Sequence, residues 1–294
     1  MKIDLSTLPD RKEPLIALMC TPDHFNVVDV KNVHMEGNTG KVDQSKFKDQ
    51  WQSIYDIYFA EASSGNIDAI NKISGVENCE DMVFCANQSF PWVDARGNSI
   101  VILSRMRYPS RQEEVKFFED YFMALNYSIF PPPGVGLLEG MGDLIPLPKK
   151  QLIFGGYGHR TDVSTLNKLA DVLQVQIVHL KLINEAFYHL DTCFIPLDSE
   201  TVLIAPEAFD EEGLKSIHAC FTDVREIPLN ESSKGFALNA HAVHGNKYPF
   251  AIIQKENPVT TMILKDKGFK VYEVDTSEFM KSGGSVFCMK MMHY

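Results

Sequence analysis

The sequence predicts an α/β fold. Short apolar runs, which are typical of strands, alternate with amphipathic helical patterns along all 294 residues, and this alternation characterises α/β proteins. With 45% hydrophobic and 23% charged residues, the chain can bury a substantial core. The sequence shows no low-complexity tract and no repeat at a fixed period. We therefore expect a single domain over residues 1–294.

The predicted elements follow in chain order. Apolar runs predict strands at residues 15–20 and 82–85, and aromatic residues such as Phe47 and Trp51 recur at helical spacing and predict a helix over residues 45–62. Further strands are predicted at residues 99–104, 151–154, 175–179, 193–196, 201–204, 250–254 and 270–274. Further helices are predicted at residues 111–125, 162–170, 210–219, 258–266 and 277–281.

A proline-rich segment at residues 131–136 predicts a rigid loop. Glu139 and Asp143 follow it directly, and loops often carry binding and catalytic groups. We interpret the segment as a loop that presents a site, and the alternative is a hinge between domains.

Charge and hydropathy restrict the class of partner. The net charge of −11 and the pI near 5.3 argue against nucleic acid or an anionic membrane as a partner, because both require a concentrated basic surface. A small cationic substrate is compatible with this charge. No apolar stretch approaches the roughly 20 residues needed to cross a bilayer, and the N-terminus does not resemble a signal peptide. We expect a cytoplasmic protein, for which a homo-oligomer is allowed.

The six cysteines are scattered without a CxxC pair or regular spacing, which indicates neither a metal site nor a disulfide framework. Cys288 differs from the others because Gly283 and Gly284 precede it closely and free the backbone to deliver a thiol into a crowded site. The alternative is that Cys288 is a small buried hydrophobic residue, which is the commoner role of cysteine.

His189 and Asp191 are the candidate partners of this thiol. In an extended segment they would point to one face while Leu190 points into the core, which would place an imidazole and a carboxylate in one cleft. Glu139 lies in a glycine-containing loop and could orient His189 and favour its imidazolium form. The alternatives are a surface His and Asp at a strand end and a carboxylate that stabilises a turn.

Four further polar residues carry weaker signals: Asp81, Asn87, Arg105 and Arg160. Arg105 follows a predicted strand and Arg160 follows a glycine-rich strand end, and ligands tend to bind at such positions. An arginine there is suited to bidentate contact with a carboxylate. The alternative for each arginine is an ordinary solvated side chain.

Taken together, the motifs resemble the guanidino-group-modifying pentein superfamily, which includes arginine deiminases, dimethylarginine dimethylaminohydrolases and amidinotransferases. The motifs that carry the resemblance occur in the family's order, at residues 20–22, 80–87, 103–105, 138–143, 156–160, 187–194 and 283–289. Within the superfamily the chain is most similar to the arginine dihydrolase catalytic domain and the citrulline hydrolases, which share Asn32 and the Ala86-Asn87 pair.

The resemblance implies a single-domain α/β propeller of five ββαβ units around a central channel. It also implies a covalent mechanism without metal or organic cofactor, in which Cys288 is the nucleophile and His189 is the acid and base. Glu139 would hold His189, and Asp191 would bond the guanidinium. For the substrate's other end, Asp81 would meet the α-amino group, Arg105 and Arg160 would hold the α-carboxylate, and Asn32 would lie among the substrate-binding residues.

Asn87 determines the expected substrate, because the deiminases and dimethylarginine hydrolases resemble each other in carrying an aspartate there. An amide can donate and accept, so it can hold a guanidino or a ureido group. We therefore expect arginine or citrulline to be hydrolysed to ornithine, ammonia and carbon dioxide. The chain departs from the dihydrolase pattern at Val33-His34 and Gln88-Ser89. The alternatives are an enzyme that stops at citrulline, an amidinotransferase, and a non-catalytic binding protein.

Overall fold

The computed structural model describes residues 5–94 and 97–294. Its strands are β1 Ile16–Cys20, β2 Ala69–Ile73, β3 Ser89–Val93, β4 Ser99–Leu103, β5 Ser128–Phe130, β6 Leu144–Pro146, β7 Leu152–Tyr157, β8 Gln176–Lys181, β9 Phe194–Pro196, β10 Thr201–Ile204, β11 Asp223–Glu226, β12 His241–His244, β13 Pro249–Gln254, β14 Lys270–Val274 and β15 Met291–His293. The α-helices are α1 Gln44–Ser63, α2 Pro109–Ala124, α3 Gly140–Asp143, α4 Val163–Leu173, α5 Glu211–Cys220, α6 Pro258–Asp266 and α7 Ser277–Met280. Within these ranges, no helix combines the length and the apolar character needed to cross a membrane.

Shorter turns of helix complete the backbone. The 3-10 helices are Leu5–Thr7, Val33–Met35, Glu185–Phe187, Leu190–Thr192, Pro206–Ala208 and Ala237–Asn239, and Asn230–Lys234 forms a π-helical turn.

In the described residues the strands form five three-stranded sheets of one pattern. The middle strand of each sheet (β1, β4, β7, β10 or β13) pairs antiparallel with one neighbour and parallel with the other. A helix (α1, α2, α4, α5 or α6) connects each middle strand to its parallel partner, as parallel pairing requires. Each sheet with its connecting helix is therefore one ββαβ unit, and β15 supplies the first strand of the ββαβ unit that contains β1.

The predicted elements that form middle strands and long helices are confirmed. The bounds of β10, β14 and α6 agree with prediction at both ends, and α1 extends one residue beyond it on either side. Helix α1 begins where Asp43 Oδ1 accepts the backbone N–H groups of Ser45 and Lys46, both at 3.0 Å. Its apolar face, which includes Phe47 and Trp51, is buried.

The strand predicted at residues 82–85 is wrong. These residues form consecutive turns, in which Met82 N–H donates to Cys79 O at 3.1 Å and Phe84 N–H donates to Asp81 O at 2.9 Å. Their side chains are buried, so the apolar run reflects burial, which does not distinguish a strand from a buried turn.

Several strands were not predicted from the sequence: β2, β3, β5, β6, β11, β12 and β15. All are outer strands of their sheets. Some, such as β2 and β11, are only partly buried, so their sequences lack the apolar run that marks a middle strand.

The described chain divides into two compact parts, which we call the first and the second unit. The first contains the described parts of Met1–Glu13 and Asn87–Ile227 together with Tyr294, and the second contains Pro14–Ala86 and Pro228–His293. The first holds the sheets around β4, β7 and β10, and the second holds those around β1 and β13. The single domain over residues 1–294 stays a prediction.

Candidate active site

Glu139 occupies a fully buried position in the first unit, at the start of α3. Backbone hydrogen bonds of 2.9 and 3.1 Å between Leu138 and Arg105 fix the preceding residue. The backbone N–H of Glu139 itself donates to Thr161 Oγ1 at 3.1 Å. Two other segments of the chain therefore hold the backbone at Glu139 in place.

Both carboxylate oxygens of Glu139 accept hydrogen bonds. Oε1 accepts the backbone N–H of Arg107 at 2.8 Å, while Oε2 lies 3.2 Å from Arg160 Nη1 and 2.7 Å from His189 Nε2. Burial alone would raise the pKa of Glu139, but the charge of Arg160 and the bond to His189 outweigh it and lower the pKa to about 2. Glu139 is therefore ionised at neutral pH.

His189 is buried beside this carboxylate. Because the ionised Glu139 accepts at Nε2, that nitrogen carries a proton and Nδ1 is the second functional atom of the ring. Nδ1 is buried and has no hydrogen-bond partner within residues 5–94 and 97–294. The ring therefore has one nitrogen fixed by protein and one available for proton transfer.

The predicted extended segment from His189 to Asp191 is wrong. His189 has extended dihedral angles, but Leu190–Thr192 is a turn of 3-10 helix that begins immediately after it. Thr192 donates to the His189 carbonyl oxygen from its backbone N–H at 3.2 Å and from Oγ1 at 2.7 Å. The polar Thr192 favours this local bonding over a strand, and the simple alternation of side chains does not apply.

Asp191 and Asp143 are also fully buried in the first unit. Asp143 Oδ1 accepts the backbone N–H of Leu190 at 3.1 Å, and burial raises the pKa of Asp143 to about 6. Burial, with the charges of Asp191 and Asp143, raises the pKa of Cys193 well above its ordinary value. Cys193 therefore stays a neutral thiol and is not a candidate nucleophile.

The two predicted arginines differ in their surroundings. The Arg160 guanidinium carbon lies 4.8 Å from the ring centre of Tyr108 and 4.7 Å from that of Tyr188, a cation–π arrangement beside Glu139. Arg105 is half-buried, and its Nη1 donates to Gly136 O at 2.7 Å. Arg105 therefore fixes the end of the predicted proline-rich loop.

Asn87 is buried just before the first residue of β3. Its backbone carbonyl oxygen accepts a hydrogen bond from Ser104 Oγ at 2.5 Å, and its side-chain Oδ1 accepts one from Arg111 Nη1 at 2.9 Å. Its Nδ2 is buried and, in the described chain, has no hydrogen-bond partner. A Cβ atom built on Gly142 would lie 2.4 Å from this Nδ2 and 3.2 Å from His189 Nδ1, so only a glycine lets both nitrogens lie against the backbone of residue 142.

Cys288 lies in the second unit, with only 2% of its surface exposed. Asn239 Nδ2 donates to its Sγ at 3.1 Å, and Asn239 Oδ1 accepts the backbone N–H groups of Ser285 at 2.9 Å and Cys288 at 3.3 Å. Because backbone donors fix the oxygen, the amide must present its NH₂ group to the sulfur. A donor at that position stabilises a thiolate.

The glycines before Cys288 are sterically required. Gly283 has φ +87°, and a Cβ there would lie 2.7 Å from Asn32 Oδ1. A Cβ on Gly284 would lie 2.4 Å from Phe84 Cε1. The backbone before the thiol therefore passes against two side chains that leave no room for a methyl group.

The remaining predicted binding residues, Asn32 and Asp81, also lie in the second unit. Asn32 accepts His34 N–H at 3.0 Å and donates to Ser282 O at 3.1 Å, so the protein engages both ends of its amide. Asp81 accepts Ser282 Oγ at 3.0 Å and pairs with Lys31 at 3.1 Å. Burial would lower the pKa of Lys31, but the charge of Asp81 and bonds to neighbouring carboxylates raise it.

The first unit thus holds Glu139, His189, Asp191, Asn87, Arg105 and Arg160, and the second holds Cys288, Asp81 and Asn32. Sequence reasoning missed Arg111 and Asn239. For Arg111 a signal exists, because it continues the helical face of Phe118 and Phe122. For Asn239 we find none, since its partner lies 49 residues away in the chain.

Comparison with known proteins adds the following likenesses. The sequence profile of a family described as arginine deiminase matches residues 94–254. The bifunctional arginine dihydrolase/ornithine cyclodeaminase AgrE of Nostoc sp. is 32% identical over 93% of this chain. The chain spans only 37% of the length of that relative. The N(G),N(G)-dimethylarginine dimethylaminohydrolase of Mycobacterium tuberculosis is 31% identical, over 92% of this chain and 83% of that protein.

A solved structure shows the same likeness in three dimensions. The crystal structure of a variant N-terminal domain of ArgZ, described as covalently bound to a reaction intermediate, matches with a TM-score of 0.84 and 30% sequence identity. The match covers 94% of this chain and 97% of that domain.

Proposed function

Because the chain belongs to the arginine deiminase family, we propose that it is a cysteine-dependent hydrolase of the guanidino or ureido group of arginine or citrulline. Family membership and the α/β fold of five ββαβ units agree with the resemblance seen in the sequence. The observation that carries the proposal is the buried His189, whose Nε2 bonds the ionised Glu139 while Nδ1 has no partner among the described residues. This is the arrangement that a positioned acid and base requires.

In the proposed first half of the reaction, the Cys288 thiolate forms a bond to the guanidino or ureido carbon. Asp191 bonds the guanidinium nitrogens and draws positive charge onto that carbon. The C–N bond then breaks as His189 gives its Nδ1 proton to the departing ammonia. The carbon remains attached to sulfur, as a thiouronium from arginine or a thiocarbamate from citrulline.

In the second half, the neutral Nδ1 of His189 takes a proton from water as the water oxygen attacks the same carbon. The C–S bond breaks and the thiolate is restored, which releases citrulline from a thiouronium. From a thiocarbamate it releases a carbamate, which loses carbon dioxide to give ornithine. The covalent intermediate described for the ArgZ domain supports this route.

For the rest of the substrate, we propose that Asp81 binds the α-amino group while Arg105 and Arg160 bind the α-carboxylate. The charges have the required signs, and orientation of this kind contributes to rate. Asn32, whose amide is engaged by protein groups, would act through the position of the segment that precedes Cys288.

An enzyme that stops at citrulline is the second candidate, favoured by the 31% identical dimethylarginine dimethylaminohydrolase. Citrulline, the product of such an enzyme, carries a ureido oxygen that would accept a hydrogen bond from the amide of Asn87. An aspartate at this position would instead place a second acceptor against that oxygen. Asn87 therefore favours continued hydrolysis to ornithine.

The test is incubation of the purified protein with arginine, citrulline, agmatine or dimethylarginine, with quantification of ornithine, citrulline, dimethylamine and ammonia. Ornithine and ammonia from arginine or citrulline in water support the proposal, and citrulline as the final product supports the second candidate. The Cys288→Ala variant is expected to be inactive, and Cys220→Ala, which removes another buried cysteine, is the matched control. Absence of turnover of all four substrates contradicts both candidates.

A further inference from the structure

We propose that Arg111 is a positioning residue that fixes Asn87 as a hydrogen-bond donor and thereby favours hydrolysis of the ureido group of citrulline over the guanidino group of arginine. This inference rests on the proposed function and names the residue that sets the ratio between its two substrates.

Arg111 is built into the protein as a buried, compensated charge. It lies on the buried face of α2, three residues before Glu114 and seven before Phe118. Its Nε and Nη2 donate to Glu114 Oε2 at 3.2 and 3.1 Å, and Gln88 Nε2 donates to the same oxygen at 2.6 Å. The ion pair holds the guanidinium in one orientation, as a buried charge requires.

The contact with Asn87 determines which way the amide faces. Arg111 Nη1 lies 2.9 Å from Asn87 Oδ1, and a guanidinium has donors only. The oxygen of the amide must therefore face Arg111, because the reversed amide would place N–H against N–H. Asn87 can then present only its NH₂ group to other partners.

That NH₂ group lies against Gly142, as does Nδ1 of His189, the proposed acid and base. Nδ2 of Asn87 is buried without a hydrogen-bond partner in the described parts of the chain. A Cβ atom built on Gly142 would lie 2.4 Å from this nitrogen and 3.2 Å from His189 Nδ1, so both nitrogens lie against the backbone of the same residue. Leaving a buried donor unpaired costs stability, so an unpaired donor beside an unpaired imidazole nitrogen indicates a position for a substrate atom.

The chemistry of a donor restricts that atom. The ureido group of citrulline carries a carbonyl oxygen, which accepts, whereas the guanidinium of arginine carries N–H donors alone. A fixed NH₂ group therefore matches the ureido oxygen and opposes the guanidinium. An amide that is free to turn could hold either group, as expected from the sequence, but Arg111 fixes the amide of Asn87 as a donor.

The first experiment compares kcat/KM for citrulline and for arginine in native protein and in the double variant Arg111→Met/Glu114→Leu, which removes both charges together and keeps side-chain volume. The control is Lys116→Met/Glu113→Leu, an exposed pair on the same helix. We expect the citrulline-to-arginine ratio of kcat/KM to fall on the order of tenfold in the first variant and to stay unchanged in the control. Arg111→Lys, which still donates, is expected to retain most of the native ratio.

A second experiment does not depend on that double variant folding. In a Cys288→Ala background, calorimetry measures binding of citrulline and arginine before and after Asn87→Asp, which keeps a partner for Arg111 but presents an acceptor. We expect the preference to move from citrulline toward arginine. Unchanged ratios in a folded Arg111→Met/Glu114→Leu variant, or no change with Asn87→Asp, overturn the inference. If native protein hydrolyses neither substrate, the proposed function fails instead.

Discussion

His189 Nε2 lies 2.7 Å from Glu139 Oε2, and both side chains are almost completely removed from solvent. The carboxylate is itself held by Arg160 and by the backbone of Arg107. A fixed carboxylate on one nitrogen sets the tautomer and orientation of the ring. The proposed reaction depends on this pair.

Replacing Glu139 with Gln is expected to lower kcat roughly 100-fold or more, because a neutral amide stabilises an imidazolium poorly and proton transfer contributes on that scale. Steady-state assays with citrulline and arginine measure the effect. Glu207→Gln, at an exposed position, is the control and should behave as native protein. Equal activity of the two variants would show that Glu139 has no part in the reaction.

The stability of the protein should depend on Glu139 in acid. Its pKa is about 2 in the folded protein against an ordinary value of 4.5, a difference that corresponds to about 3 kcal/mol. This stabilisation is complete above pH 4.5 and is lost as the pH falls through 2. Urea unfolding should therefore show a difference in free energy of unfolding between native protein and Glu139→Gln that shrinks between pH 6 and pH 3. A difference that grows in acid would contradict the ionised state.

Asn239→Asp is expected to make Cys288 less reactive. The variant keeps an acceptor for the backbone N–H groups of Ser285 and Cys288 but replaces the donor beside Sγ with a negative charge. Like charge disfavours a thiolate, so the midpoint of the pH profile for iodoacetamide alkylation of Cys288 should rise by about one unit or more. Asn246→Asp adds the same charge at an exposed position of this unit. Matching profiles for the two variants would count against the role of Asn239.

Gly283→Ala is expected to destabilise the protein by about 2 kcal/mol or more, since a positive φ and a close approach act together. Its φ is +87°, and the added Cβ would lie 2.7 Å from Asn32 Oδ1. Gly268→Ala is the matched control, with φ +85° and nothing within 4 Å of the added atom. Chemical denaturation of both variants separates the two effects. Equal losses would show that the contact with Asn32 contributes nothing.

All five middle strands could be predicted from the sequence, and so could three outer strands, β8, β9 and β14. Middle strands such as β10 and β13 are short continuous apolar runs, which the pattern of hydrophobicity reveals. Outer strands such as β11 are half-exposed and mixed in character, so their pairing depends on tertiary contacts. The turn at residues 82–85 has the opposite property, because it is apolar and buried without being a strand.

The residues of the site also differ in how far the sequence predicts their arrangement. The residue types of Glu139 and His189 suggested a pair, and the structure brings them together across 50 residues of chain. The direction of the Asn87 amide could not be predicted, because it depends on a guanidinium 24 residues away. Composition and spacing identify which groups are present, whereas donor and acceptor orientation requires the fold.

The most direct test of the proposed function is to identify the covalent intermediate. Native protein is mixed with citrulline or arginine, quenched in acid during turnover, digested and analysed by mass spectrometry. We predict an adduct on the peptide that contains Cys288, as thiocarbamate from citrulline and thiouronium from arginine. The adduct should persist in Cys220→Ala and be absent from Cys288→Ala. Full activity in Cys288→Ala, or an adduct on a different residue, would contradict the proposed function.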